Sequence, residues 1–399
     1  MTLNGVKTID DLDFSGQRVL VRVDLNVPFR NGKISDDTRI WAVEPTVDAL
    51  ARRGAKVILL SHRGRPKGKV DPERSLRPVV PALQDVLARN VGFVEDCGGP
   101  KTAAAVSEMS DGDIILLENI RFDHREEAND DSFTSELAQF GDIYVNDAFS
   151  CAHRAHVSTT SLASRMPAVA GRNLISELEA LDKVIGNPEH PVAAIIGGAK
   201  VSSKLEVIGH LLGTMDQVMV TGGMANTFLL ALGRNIGRSL CEPGLVELSR
   251  KIMAEAKQSK CEFVLPQDVV VAPELTPDAP VMTVPVSEVP DDQMILDIGP
   301  QTIRDMQARI HECKTVLWNG PLGAFETAPF DVGTNSVAKT VAARSHAHRL
   351  ISVAGGGDTV AALRHAGAAD GFSHLSTGGG AFLEWLEGKT LPGIKALES

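Results

Sequence analysis

The chain has 399 residues, a formal net charge of -11 and aromatic side chains at only 4% of positions. That length exceeds one ordinary hydrophobic core and predicts two domains. The acidic balance repels nucleic acid and anionic lipid, and scarce aromatics leave few stacking platforms for single strands, so neither partner is expected.

Hydrophobic residues at 43% and charged residues at 23% fit a globular chain. Any phosphorylated ligand must then be held by local basic clusters. The five cysteines (Cys97, Cys151, Cys241, Cys261 and Cys313) are odd in number and lack CxxC spacing, which predicts a reducing, cytoplasmic setting. Asp10, Asp11 and Asp13 stand where a secretory leader would carry basic and then apolar residues, so no leader is expected. The apolar stretch from Val218 to Leu232 is broken by Thr221, Gly222, Gly223, Asn226 and Thr227, too polar to span a bilayer.

Along the chain, short β-branched runs alternate with helical patterns. Strands are expected at Arg18–Asp24, Lys56–Ser61, Asp113–Leu117 and Asp142–Asn146, with helices between them at Thr38–Arg53 and Ser132–Phe140. Ile40, Val43, Val47 and Leu50 recur at helical spacing. Leu174–Ile185 is a strongly amphipathic pattern followed by Gly186, Asn187 and Pro188, and reads as a helix connecting two lobes. Further strands are expected at Val192–Ile196, Gln217–Val220, Glu262–Leu265, Thr315–Trp318 and Leu350–Val353. Helices are expected at Ser202–Leu212, Leu245–Lys257, Thr302–Glu312 and Thr334–Ala343. Ala272–Val289, rich in proline and valine, reads as an extended excursion. The alternation predicts an α/β protein of two doubly wound, Rossmann-like parallel-sheet lobes joined by a hinge helix. The expected boundaries are 1–172, 173–188, 189–377 and a terminal segment 378–399.

Ligands of open parallel sheets bind beyond the carboxyl ends of the strands. In the first half those loops carry Asp24 and Asn26, the string SHRGRP with His62, Arg63, Gly64 and Arg65, then Arg121, then His153, Arg154 and His156; Arg39 opens the first helix. Each arginine alone suits a solvated loop, and Asp24 and Asn26 alone suit a turn. Basic residues at four strand ends together point to an anion site, because guanidinium groups grip phosphate and carboxylate bidentately.

The second half has glycines at the same places: Gly197-Gly198-Ala199-Lys200, Gly222-Gly223, Gly355-Gly356-Gly357-Asp358-Thr359 and Gly378-Gly379-Gly380. One such turn is usually a tight strand–helix connection. Four of them, with free helix amides and the cations Lys200 and Lys204, favour a nucleotide. The four-residue spacing of the lysines predicts that they share a helical face. Asp358 suits Mg²⁺ bound to phosphate, or a helix cap. Asn319 and Glu326, after another strand, suit ribose or metal. Neither a Walker A string nor GxGxxG is present, which weighs against P-loop kinases and ordinary dehydrogenases.

The strings RVDLNVP, SHRGRP, ENIRF, NDAF with AHRAH, GGAKVSSK, GGMANTFL, WNGPLGAFE, GGGDT and STGGGA occur in this order over nearly the whole chain. Together they resemble the phosphoglycerate kinase family. The resemblance implies Mg²⁺-dependent, reversible phosphoryl transfer between ATP and 3-phosphoglycerate, giving ADP and 1,3-bisphosphoglycerate, by a cytoplasmic monomer that closes about a hinge. It implies that Asp24, Asn26, Arg39, His62, Arg65, Arg121 and Arg154 hold phosphoglycerate, and Arg63 and Gly64 of the same loop are expected to join them. Lys200, Lys204, Gly222, Gly223, Asn319, Glu326, Gly356, Gly357, Asp358 and Thr359 would hold nucleotide, with Asp358 also on the metal. Arg39, Lys200 and Gly379 would serve the transfer itself. Residues 389–399 would return to the first lobe. Two departures from the family pattern stand out: Arg63 in place of a leucine, and Ser150-Cys151 in place of glycine and threonine. A kinase acting on a different acid, a non-catalytic nucleotide-binding protein and a Rossmann oxidoreductase are the competing expectations.

Overall fold

The computed structural model describes residues 5–398. The chain forms two compact units, residues 5–179 together with 390–398, and Ala180–Lys389. The segment joining the first unit therefore begins at Thr390, and the helix Gly380–Leu386 belongs to the second.

In the first unit the strands are β1 (Arg18–Arg22), β2 (Phe29–Arg30), β3 (Lys33–Ile34), β4 (Lys56–Leu60), β5 (Gly92–Val94), β6 (Ile114–Leu117), β7 (Ile143–Asn146) and β8 (Ala168–Ala170). β2 and β3 form a small hairpin. The others make one six-stranded sheet in the order β5-β6-β4-β1-β7-β8, every pairing parallel. β1, β4, β6 and β7 match the expected runs, and all four residues of β6 and β7 are buried. This is the signature of strands covered on both faces. The helix Thr38–Arg52 buries Ile40, Val43, Val47 and Leu50. The order turns back at β1: the chain adds β4 on one side and later β7 on the other, so the switch point lies between β1 and β7.

The second unit contains β9 (Val192–Ile196), β10 (Gln217–Val220), β11 (Glu262–Val264), β12 (Asp268–Ala272), β13 (Met282–Pro285), β14 (Met294–Ile298), β15 (Thr315–Asn319), β16 (Ile351–Gly355) and β17 (His374–Ser376). Its main sheet runs β11-β10-β9-β15-β16-β17, again all parallel, with the switch point between β9 and β15. The expected excursion Ala272–Val289 contains β13 alone; it belongs to a separate antiparallel sheet, β13-β12-β14, whose other two strands flank those bounds and which is built around Val269, Val271 and Val289. The main core gathers Ile195, Met219, Trp318, Val337 and Leu363.

The connecting helix is observed at Arg172–Leu181, two residues earlier than expected, and ends in a π-helical turn at Asp182–Gly186. Among the described residues no helix is long and apolar enough to cross a membrane.

Candidate functional site

In both units the distinctive loops lie at the carboxyl edge of a parallel sheet, and those flanking each switch point carry the densest chemistry. In the first unit, Arg39 lies at the start of the first helix and reaches back to the loop after β1. Its Nη1 is 2.9 Å from Asp24 Oδ2 and donates to the Asn26 carbonyl at 3.0 Å. Burial alone would raise the Asp24 pKa, but chiefly the Arg39 charge, with the Ser150 hydroxyl, brings it down to about 2. Ser150, one of the departures, donates to the Asp24 carboxylate. Asn26 Oδ1 accepts from the Gly64 amide at 2.9 Å, and the Gly64 carbonyl accepts from Arg121 Nη1 at 3.1 Å. Asp24, Asn26, Arg39, His62, Gly64 and Arg121 are thus brought together.

Beneath them lies a layer that the sequence did not single out. Arg22, wholly buried in β1, donates to Ser158 Oγ at 2.9 Å and to His62 Nδ1 at 3.1 Å. An arginine can only donate, so Nδ1 of His62 accepts and its proton resides on Nε2. Burial and the Arg22 charge push the His62 pKa well below 6.5, keeping the ring neutral. Glu126, also buried, accepts from the Ser158 amide at 3.0 Å and from its hydroxyl at 2.5 Å. The available signal was a cation closing the apolar run Val19–Val21 at the buried end of β1. A buried, unpaired guanidinium is costly, so its carboxylate and imidazole neighbours follow from it.

The donor atoms of Asp24, His62 and Cys151 all lie within 4.8 Å of one another. Each already faces a cation: Asp24 is tied to Arg39, while His62 and Cys151 both take Arg22, the sulfur at 3.5 Å. Two arginines so placed oppose a metal ion and favour an anion.

The remaining basic residues differ in freedom. Arg65 is exposed and, among the described residues, its guanidinium has no hydrogen-bond or ion-pair partner. Arg154 is half-buried and donates to His153 Nε2 at 3.2 Å. Arg121 is buried; its Nε lies 3.3 Å from Glu127 but is too poorly aligned to form a hydrogen bond. Burial and the neighbouring arginines push the His156 pKa down to about 3. Arg63 behaves differently, and its guanidinium meets Phe29 and Ser75.

In the second unit, the turns after β9 and β15 interlock. The Gly197 amide donates to the Asn319 carbonyl at 3.0 Å, and a Cβ on Gly197 would lie 2.0 Å from the Pro321 carbonyl oxygen. Only glycine permits that approach. Lys204 Nζ bridges the carbonyls of Gly197 (2.6 Å) and Asn319 (2.9 Å). Burial brings its pKa down to about 8 against the opposing pull of Asp358. Asn319 Nδ2 donates to the Gly355 carbonyl at 2.6 Å, and Thr359 Oγ1 accepts from the Gly320 amide at 2.8 Å. Gly356, at φ +102°, caps the helix Gly357–His365.

The expected helical face shared by Lys200 and Lys204 is not observed. Lys200 is extended (φ -131°, ψ 129°), a 3₁₀ turn covers Val201–Ser203, and the α-helix starts only at Leu205. The β-branched Val201 and two serines favour the tighter turn over an α-helical start. Lys200 is exposed while Lys204 is drawn inward. Both nevertheless line one cavity of about 330 Å³ with Gly198, Asn319, Gly356 and Asp358. A second cavity of about 420 Å³ adjoins it, walled by Gly222, Gly223, Leu229, Val269, Met294 and Leu296, with Glu326 and Asp358 also lining it. An apolar slot beside a cradle of backbone amides and lysines suits a flat base joined to phosphates.

The Asp358 carboxylate is exposed, does not cap its helix and, among the described residues, has no hydrogen-bond or ion-pair partner. Gly379, at φ +51°, precedes the short helix Gly380–Leu386, with open space where a side chain would stand.

Two doubly wound units, one ending in basic side chains and the other in glycine turns, define an α/β phosphotransferase with separate anion and nucleotide-shaped sites. The family model described as phosphoglycerate kinase matches residues 9–389. A phosphoglycerate kinase of Agrobacterium fabrum is 56% identical over 392 residues, 98% of each chain. The solved structure of phosphoglycerate kinase from Coxiella burnetii superposes with a TM-score of 0.91 at 40% identity, covering 98% of each chain. That from Pyrococcus horikoshii gives 0.80 at 30% identity, with the same coverage. The chain belongs to the phosphoglycerate kinase family.

Proposed function

We propose that this chain transfers a phosphoryl group reversibly between ATP and the carboxylate of 3-phosphoglycerate. A carboxylate oxygen attacks the γ-phosphorus in line, the bond to the β-phosphate oxygen breaks, and ADP leaves beside the acyl phosphate. The acceptor, with a pKa of roughly 3.5, is already ionised, so no general base is required. Catalysis is then a matter of positioning and of stabilising charge on the transferring group. The observation that carries this assignment is the division of ligating groups: a linked arginine–aspartate set in one unit and a glycine–lysine cradle in the other.

Asp24, Asn26, Arg39, His62, Gly64, Arg65, Arg121 and Arg154 hold the phosphoglycerate. Neutral His62 offers its Nε2 proton to the ligand, and unpaired Arg65 is open to an anion. Gly222, Gly223, Asn319, Glu326, Gly356, Gly357 and Thr359 frame the nucleotide, and Lys204 braces the turns beneath it. Lys200, Arg39 and the amides after Gly379 balance the charge of the transferring group.

The free Asp358 carboxylate fits Mg²⁺, which takes one or two carboxylate oxygens and completes its shell with phosphate oxygens and water. When bound, the ion neutralises phosphate charge.

The two ligand sets belong to different units, so transfer requires closure to bring them together and exclude water from the acyl phosphate. A monomeric, cytoplasmic enzyme that binds no nucleic acid fits the acidic charge and the free cysteines. A dehydrogenase-coupled assay with 3-phosphoglycerate and MgATP tests the activity. ATP turnover with other small acids but not with 3-phosphoglycerate overturns the assignment. X-ray scattering tests closure, which predicts a smaller radius of gyration with both ligands than with either one.

A further inference from the structure

Arg63 and Arg65 flank the same glycine but have different surroundings. Among the described residues the Arg65 guanidinium has no hydrogen-bond or ion-pair partner, whereas the Arg63 guanidinium lies over the Phe29 ring, 3.9 Å from its centroid, and donates through Nη1 to the Ser75 carbonyl at 3.0 Å. The main chain of Arg63 is held too. Its carbonyl accepts from Asn119 Nδ2 at 2.8 Å, and that nitrogen also donates to the Arg74 carbonyl at 2.9 Å. Ser75 is anchored in turn, its hydroxyl donating to Glu118 at 2.7 Å. Phe29 belongs to the β2–β3 hairpin that directly follows Asn26, and it packs against the core. One side chain thus ties together the strand-end loop after β1, the loop after β4 and the turn at Pro72–Arg74.

We propose that Arg63 is a positioning residue for phosphoglycerate, acting through the loop that carries Gly64 and Arg65 and not by touching the ligand. Gly64 sits at φ +64° with its amide on Asn26 and its carbonyl on Arg121. A shift of this loop therefore displaces three ligand-facing groups at once. A guanidinium over an aromatic ring with one donor fixed has a defined place, which an ammonium or an aliphatic chain does not reproduce. The inference rests on the assignment of this edge to phosphoglycerate. Wild-type turnover with 3-phosphoglycerate tests that assignment, and the variants below test this one against the wild type.

The experiment is a double-mutant cycle of Arg63→Leu and Phe29→Leu, with KM for both substrates, kcat and the thermal midpoint measured. Each single variant is expected to raise KM for 3-phosphoglycerate about three- to tenfold, the size of one cation–π contact or hydrogen bond. KM for ATP stays unchanged, and the double variant is no worse than either single one. Arg63→Lys is expected to resemble Arg63→Leu. Full rescue by Arg63→Lys, with a flatter salt dependence of KM in Arg63→Leu, marks direct contact with the ligand and overturns the proposal. Additive effects overturn it too, as does an unchanged KM. Should Arg63→Leu fail to fold, Arg63→Met is read by the same comparison.

Discussion

Arg39 Nη1 lies 2.9 Å from Asp24 Oδ2, tying the start of the first helix to the loop after β1. The pair aims a guanidinium while leaving most of its donors free. Replacing Arg39 with alanine removes a charged ligand group and leaves the buried Asp24 short of its main counter-charge. We expect KM for 3-phosphoglycerate to rise roughly tenfold or more, as for loss of a charged hydrogen bond. ADP affinity, read by calorimetry, should be unchanged. Parallel weakening of both ligands counts against this site.

The two lysines of the nucleotide unit should fail differently. Exposed Lys200 makes no side-chain hydrogen bond or ion pair among the described residues, so Lys200→Ala should lower kcat by about two to three orders of magnitude with little change in nucleotide affinity. Lys204 joins the carbonyls of Gly197 and Asn319. Lys204→Met should lower the thermal midpoint and weaken nucleotide binding together, at a stability cost of about 1–3 kcal/mol. Near-normal turnover in Lys200→Ala removes it from the transfer step.

Gly356 has a left-handed backbone, and a Cβ there would stand 2.9 Å from Asn319 Nδ2. Gly356→Ala is therefore expected to strain the turn by about 1–3 kcal/mol. Because Asn319 holds the Gly355 carbonyl at 2.6 Å, KM for ATP should rise while KM for 3-phosphoglycerate does not. Steady-state kinetics in each substrate distinguish this from general loss of activity.

Two buried carboxyls set an expected pH dependence. Burial raises both Asp147 and Asp297 from 3.8 to about 7, against hydrogen bonds that partly oppose it. The folded state holds these protons more tightly than the unfolded one. Their contribution to stability is full below pH 3.8 and is lost as pH rises toward 7. Between pH 5 and 7.5 the thermal midpoint of Asp147→Asn and Asp297→Asn should fall less steeply than that of the wild type. Identical slopes would mean that neither carboxyl titrates in this range.

The long central strands were legible from the sequence because β1, β4, β9 and β15 are apolar runs bounded by turn residues. β5, β8 and β17 were missed: each has three residues and lies at a sheet edge, too short for a periodic signal. The ligand loops were legible because arginine and glycine are conspicuous at strand ends. Their support was not. Arg22, Glu126 and Ser158 form one buried group only because β1 and the segments at 126 and 158 meet in space. The Lys200–Lys204 spacing misled because a local 3₁₀ turn, not the α-helical period, governs those residues.

The first unit is sewn shut by residues that follow its main body by roughly two hundred positions. There the Gly393 amide donates to the Ala152 carbonyl at 2.8 Å, and Asn146 Nδ2 donates to the Gly393 carbonyl at 3.4 Å. Those contacts back the turn bearing His153 and Arg154. On the ribosome, then, the half whose body is translated first receives its closing segment only after the whole nucleotide unit has been synthesised. A chain cut short near Lys389 would contain every residue of the ATP cradle and lack the strap behind the acceptor site.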